Sequence, residues 1–256
     1  MEDAKPLSIP MDLNVSLSKS QSPMEPQEIA EMREIPYCEI VGSLTYAAIG
    51  SHSNIAFATS MLSCFNENSR RVHWEAAKRV VRYLKGTPDW GITFGPGHED
   101  DGMVGYTDAD RNSNEDRHAI FGYVFMLNGG PISWSVKTQE IIALLTTKAE
   151  YVAMTHPAKE VLWLRSFVGE VFGPVVDATT LFCDNQSAIT LAKDGKFHAR
   201  TKHIDIHYHF IHYIIKDSTI NLIYCLTDEM VMDILTKALP NAKAKHFAVT
   251  ISLHPA

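Results

Sequence analysis

The chain lacks several features that would assign it to a class at once. No apolar run reaches the roughly 18 residues of a membrane span. The opening residues, MEDAKPLSIPMDLN, have no positive stretch leading into an apolar core, so no secretory leader is read there. Cys38, Cys64, Cys183 and Cys225 form no CxxC pair; they lie in apolar or strand-like runs and read as reduced, buried thiols. No GxSxG elbow occurs, which argues against a Ser/His/Asp hydrolase. No internal repeat is evident. An excess of positive charge is also lacking: the formal net charge is -7, which argues against a general nucleic-acid binder while allowing local basic patches. These absences point to an intracellular protein, cytoplasmic or nuclear rather than secreted, with no membrane partner. With 256 residues, 45% of them hydrophobic, there is ample material for one large or two small domains.

Three regions are expected. Residues 1–35 are rich in Ser, Pro and Glu and read as a flexible tail. Residues 36–94 read as a small helical region. EIVGSLTYAAIG, SNIAFATSMLSCF and SRRVHWEAAKRVVRYLKG carry apolar residues at helical spacing, and Gly86 and Pro88 end the last helix. From the acidic turn GPGHEDDG the pattern changes, and residues 95–256 read as an α/β domain. MVGYTDA, AIFGYVFML and PISWSV are strand-like, with Asn128-Gly129-Gly130 as a hairpin signal between the last two. A helix follows over about 146–172, then a strand (TTLFCD), a short helix (NQSAITLAKD), a helix over about 203–216, a strand (STINLIYCL) and a helix (DEMVMDILTKAL). The order β-β-β-α-β-α-α-β-α implies a five-stranded mixed sheet flanked by helices.

Four carboxylates stand where strand and helix patterns switch: Asp108, Glu150, Asp184 and Asp233. Singly, an Asp at a strand end is a turn former or a helix cap. Together, in this element order, they can converge at one edge of a sheet. A tight group of ionised carboxylates repels itself and needs cations to offset the charge. Two Mg²⁺ ions (Mn²⁺ being an alternative) held in this way can cleave phosphodiesters in line. Two basic sets are candidate phosphate contacts. One is the loop of Lys193, Lys196, His198, Arg200 and Lys202, with His203 beside it. The other is the helix face of Arg71, Lys78, Arg82 and Lys85. A merely solvated loop or face is the alternative for each. His203 and His207, four apart, can also suit a metal, with a polar helix face as the plainer reading.

The motifs YTDAD, FGYVFMLNGGPISWSVK, KAEYVAM, KEVLWLR, CDNQSAITLAK, HARTKHIDIHYHFI and DILTKALP resemble the ribonuclease H region of Ty1/copia-type retrotransposon polyproteins. PYCEIVGSLTYAA, NIAFATSMLS and HWEAAKRVVRYLKGT resemble the end of the reverse transcriptase that precedes it. The resemblance covers almost the whole chain from about residue 36 and reaches back to AKPLSIPMDLN. It implies a ribonuclease H fold and cleavage of RNA in RNA–DNA hybrids. It also implies two-Mg²⁺ binding by Asp108, Glu150, Asp184 and Asp233, and other parts of the polyprotein as partners. No Tyr-x-Asp-Asp motif occurs, so the helical region looks like a thumb or connection remnant without polymerase activity. Arg111, Lys148, Pro157, His212 and Met232 depart from the family pattern without removing a carboxylate. They leave open a catalytically degenerate remnant that acts at most as a nucleic-acid-binding or interaction fragment.

Overall fold

The computed structural model describes residues 3–23, 25–95, 102–110, 120–138, 146–193 and 205–255, without the side chains of 19, 110, 146–150, 152, 153 and 205–208. Four helices come first: α1 (Pro26–Arg33), α2 (Tyr37–Gly50), α3 (Ala56–Ser63) and α4 (Arg71–Gly86). In α2, Tyr37, Val41, Leu44 and Ala48 are buried at the four- and three-residue spacing of one helix face. In α4, His73, Ala76, Ala77, Val80 and Tyr83 do the same. Residues 1–35 read as a tail in sequence, yet Met11 and Leu17 are buried in the helical cluster. Leu7 N donates to Arg82 O, Arg82 Nε donates to Lys5 O, and Arg79 pairs with Asp12. Leu7, Ile9, Met11, Leu13, Val15 and Leu17 alternate along this segment, but their burial is uneven: Met11 and Leu17 are buried, whereas Leu13 and Val15 are exposed.

β2 (Val104–Asp110), β3 (Ile120–Leu127), β4 (Gly130–Thr138), β5 (Thr179–Cys183) and β6 (Ile220–Tyr224) form one sheet in the order β4-β3-β2-β5-β6. β2, β3 and β4 are antiparallel neighbours; β5 lies parallel to β2, and β6 parallel to β5. The expected mixed sheet of five strands is therefore present. The hairpin between β3 and β4 turns at Asn128 and Gly129, both with positive φ, as a two-residue turn of matching twist requires.

Helices cover both faces. α5 (Thr146–Phe172), α6 (Gln186–Lys193) and α7 (Asp205–Lys216) pack on one, around Phe125, Leu181 and Cys183. α5 runs through Pro157, although a proline inside a helix costs about 3 kcal/mol. Tyr151, Met154, Ala158, Val161 and Leu164 are buried along it. Burial of a large apolar side chain contributes about 1.5–3 kcal/mol, so this stripe outweighs the lost hydrogen bond.

On the other face lie the segment 230–236, with α8 (Asp233–Thr236), and α9 (Asn241–Thr250). The continuous helix expected over DEMVMDILTKAL is not formed. A 3-10 turn spans Thr227–Glu229, Met230 is extended, and only Asp233–Thr236 is helical. Every residue from Met230 to Thr236 is buried; the segment threads between layers rather than offering one apolar stripe. α1, α9 and the short pair β1 (Trp90–Ile92) and β7 (Leu253–Pro255), antiparallel to each other, escaped the sequence reading.

The helical region docks on the sheet. Ile120 belongs to its apolar cluster, Val136 and Ala238 pack against it, and Trp134 Nε1 donates to Ala48 O at 2.8 Å. Among the described residues no helix is long and apolar enough to cross a membrane.

Candidate active site

The register of two strands builds the site. In the parallel pair β2 and β5, Thr107 is level with Cys183. The next residue of each strand is an acid, Asp108 and Asp184, so the two stand side by side at the same end of adjacent central strands. Side chains alternate along a strand. Asp108 thus shares the face of Tyr106, whose ring stacks on Phe182 at 4.9 Å, and Asp184 follows on from Phe182 by the same alternation. On the far side of β2, Asp108 is level with Gly122 of β3. A Cβ on Gly122 would meet Met232 Cε at 2.8 Å and Ser135 O at 3.0 Å. The bare glycine lets α8 settle on the sheet beside Asp108, which brings in the third acid, Asp233.

Asp108 and Asp233 are each only 2% exposed. Thr236 Oγ1 donates to Asp108 Oδ2 at 2.5 Å. Lys237 Nζ lies 2.7 Å from Asp233 Oδ1 and 3.4 Å from Asp108 Oδ2, and Lys243 Nζ lies 3.0 Å from Asp233 Oδ2. Burial pushes the Asp108 carboxyl up to about 6; Lys237 and the Thr236 hydroxyl pull against that rise, and Asp184 and Asp233 add to it. Asp184 is likewise raised, first by burial; Lys237 lowers it, Asp233 raises it, and hydrogen bonds to its own backbone and to the Thr227 side chain lower it. Three carboxylates from distant parts of the chain therefore sense one another.

Glu150 lies in the first turns of α5, the helix packed on β2, but its side chain is outside the described set. Lys193 is exposed at the end of α6. Lys196, His198, Arg200, Lys202 and His203 lie outside the described residues, as does the His207 side chain. On α4, Arg71 and Lys78 both pair with Glu75, Arg82 is held by Lys5 O, and Lys85 is exposed in the last turn. Arg111 and the Lys148 side chain are also outside the description. Sequence reasoning passed over Lys237, Lys243, Thr236 and Thr227. A signal existed for Lys237: it is four residues after Asp233, the spacing of a helical ion pair.

Comparison with known proteins fits this arrangement to a family. The chain is 40% identical over 255 residues to the Retrovirus-related Pol polyprotein from transposon TNT 1-94 of Nicotiana tabacum, covering 99% of the chain and 19% of that protein. It is 33% identical over 256 residues to the Pol polyprotein from transposon RE1 of Arabidopsis thaliana, covering 99% of the chain and 17% of that protein. Over nearly its whole length the chain is therefore similar to one segment of the Ty1/copia-type retrotransposon Pol polyproteins. The chain spans under a fifth of the length of these two relatives. No family model matches it. Among solved structures, the N-terminal RNase H domain of a Mycobacterium tuberculosis protein aligns with 59% of the chain and 99% of its own, at 14% identity and a TM-score of 0.40. The larger part of the chain is a five-stranded mixed sheet with helices on both faces.

Proposed function

We propose that the α/β part of the chain is a ribonuclease H-like domain, an endonuclease that hydrolyses the RNA strand of RNA–DNA hybrids with two Mg²⁺ or Mn²⁺ ions. The observation that supports it is the shared end of β2 and β5, where Asp108 and Asp184 stand level and Asp233 joins them from α8. The donor chemistry fits such ions: the gathered groups are hard carboxylate oxygens, which suit Mg²⁺ and Mn²⁺. Their burial leaves negative charge that solvent cannot screen. Among the described residues no group of three or more His, Cys, Asp or Glu is gathered to hold an ion as it stands, and Lys237 bridges Asp108 and Asp233.

Asp108, Asp184 and Asp233, with Glu150 from α5, are the residues that would hold the ions, which supply an activated water and stabilise the leaving oxygen. The chain's own part is to place these groups. Thr236 holds one oxygen of Asp108, and Thr227 steadies Asp184. Lys193 at the end of α6 with the basic stretch that follows it in sequence, and the Arg71 face of α4, would contact phosphates, with duplex shape and 2′-hydroxyls giving the hybrid preference. Other parts of the polyprotein are the expected protein partners.

The test is a labelled RNA–DNA hybrid with Mg²⁺ or Mn²⁺, wild type against Asp184→Asn. Wild type should cut, and the variant should lose at least about 100-fold, as expected when a group that stabilises transition-state charge is removed. A folded wild type that does not cut sinks the enzyme reading. A second reading, a catalytically silent remnant that binds nucleic acid, draws support from the two lysines that occupy both oxygens of Asp233. Hybrid binding without cleavage would favour it.

A further inference from the structure

Lys237 lies between two environments. On one side its ammonium bridges Asp108 and Asp233. On the other, Lys237 lines a cavity of about 330 Å³ between the N-terminal segment, the helical region and α8–α9. Leu7, Asn54, Tyr83 and Ala244 are among its walls. Asn54, in the 3-10 turn Ser53–Ile55, is 3% exposed. Its Nδ2 donates to Tyr83 Oη at 2.5 Å, and its Oδ1 is buried with no hydrogen-bond partner. Buried carbonyl oxygens are almost always matched with a donor. The cavity therefore holds an acceptor that lacks a donor, and a side chain on the same wall carries three.

We propose that Lys237 is a two-position counter-ion: it neutralises the carboxylates in the metal-free protein and swings into the cavity, toward Asn54 Oδ1, when a divalent cation enters. The inference rests on the reading of Asp108, Asp184 and Asp233 as a divalent-cation site. Mg²⁺ takes carboxylate oxygens at about 2.0–2.1 Å, so cation and ammonium compete for the same oxygens of Asp108 and Asp233. At such separations, away from bulk water, like charges repel strongly. Lys243, which touches Asp233 from the other oxygen, is the lesser competitor. Asn54 belongs to the helical region rather than to the sheet. That region would then set the cation affinity of the nuclease site.

The experiment is equilibrium Mn²⁺ binding to the full chain without nucleic acid, by calorimetry and by the free-Mn²⁺ electron spin resonance signal. Lys237→Gln should bind Mn²⁺ about tenfold more tightly than wild type, a usual size for coupling between two sites. Asn54→Leu should weaken Mn²⁺ binding in the wild-type background and change nothing in the Lys237→Gln background. Equal or weaker binding by Lys237→Gln overturns the proposal, and so does an Asn54→Leu effect that persists without the lysine. Should Lys237→Gln not fold, carbon-13 methylated lysines in wild type serve instead. The Lys237 resonance, assigned with Lys237→Arg, should move saturably with Mg²⁺, and a stationary resonance overturns the idea. Hybrid cleavage is scored separately. Tighter Mn²⁺ binding by Lys237→Gln with no cleavage by wild type keeps the two-position lysine and removes the nuclease reading. Cleavage by wild type with unchanged Mn²⁺ affinity in the variant does the reverse.

Discussion

Replacing Asp108 by Asn should make the metal-free protein more stable while removing its proposed activity. The Asp108 carboxyl rises from 3.8 to about 6 on folding. At about 1.4 kcal/mol per pH unit, keeping it ionised in the fold costs about 3 kcal/mol. The sign follows from proton counts. Between pH 3.8 and 6 the folded state holds a proton that the unfolded state has lost, so stability falls as pH rises through this window and stays low above it. The neutral amide of the Asp108→Asn variant would mimic the protonated form and keep an acceptor for the Thr236 hydroxyl. In EDTA, urea unfolding should show Asp108→Asn ahead of wild type by about 3 kcal/mol at pH 8, by about half that at pH 5, and by little below pH 3.8. The difference curve is needed because His73 acts in the opposite sense. Burial and the neighbouring Arg70 hold its imidazole at about 4, so its contribution is lost as pH falls from its unfolded value toward 4. Added Mn²⁺ should stabilise wild type more than the variant by mass action and narrow the gap at pH 8. A variant less stable than wild type at pH 8, or a difference that does not vary with pH, would refute the reasoning.

Three other substitutions probe separate parts of the argument. Asp184→Asn should lose hybrid cleavage by at least about 100-fold and retain the far-ultraviolet circular dichroism of wild type. Gly122→Ala should destabilise by about 1–3 kcal/mol in urea, since its Cβ would press on Met232 Cε and Ser135 O and lift α8 from the sheet; an unaffected variant would show that α8 does not sit so close. Trp134→Phe removes the bond to Ala48 O that ties the helical region to β4, at a cost of about 1 kcal/mol. Faster proteolysis within α2 would report the loosened contact, and unchanged proteolysis would count against it.

Much of the sheet was legible because its strands carry their own signals. Val104–Asp110, Ile120–Leu127 and Gly130–Thr138 follow the β-branched and aromatic runs, and Asn128-Gly129 announces its turn by needing positive φ. α5 was legible over its whole length because its buried stripe is long enough to outvote Pro157. The segment around Asp233 was misread as one long helix. Every residue from Met230 to Thr236 is buried from all sides, a pattern that periodicity cannot distinguish from a helix. Met11 and Leu17 were missed because their segment reads by its Ser, Pro and Glu content as a tail, and which of its alternating apolar residues become buried is decided by the helices they meet.

The order of the five sheet strands and of α5, α6 and α7 between them follows from the amino-acid sequence alone, because alternation and capping are local properties of the chain. Which acids meet is a different matter. The level pairing of Thr107 with Cys183, the bare Gly122 that admits α8, and the placing of Lys237 between buried carboxylates and a cavity all depend on residues far apart in the chain. Charge in a protein interior is governed by what surrounds it in space, and only the folded chain supplies those surroundings.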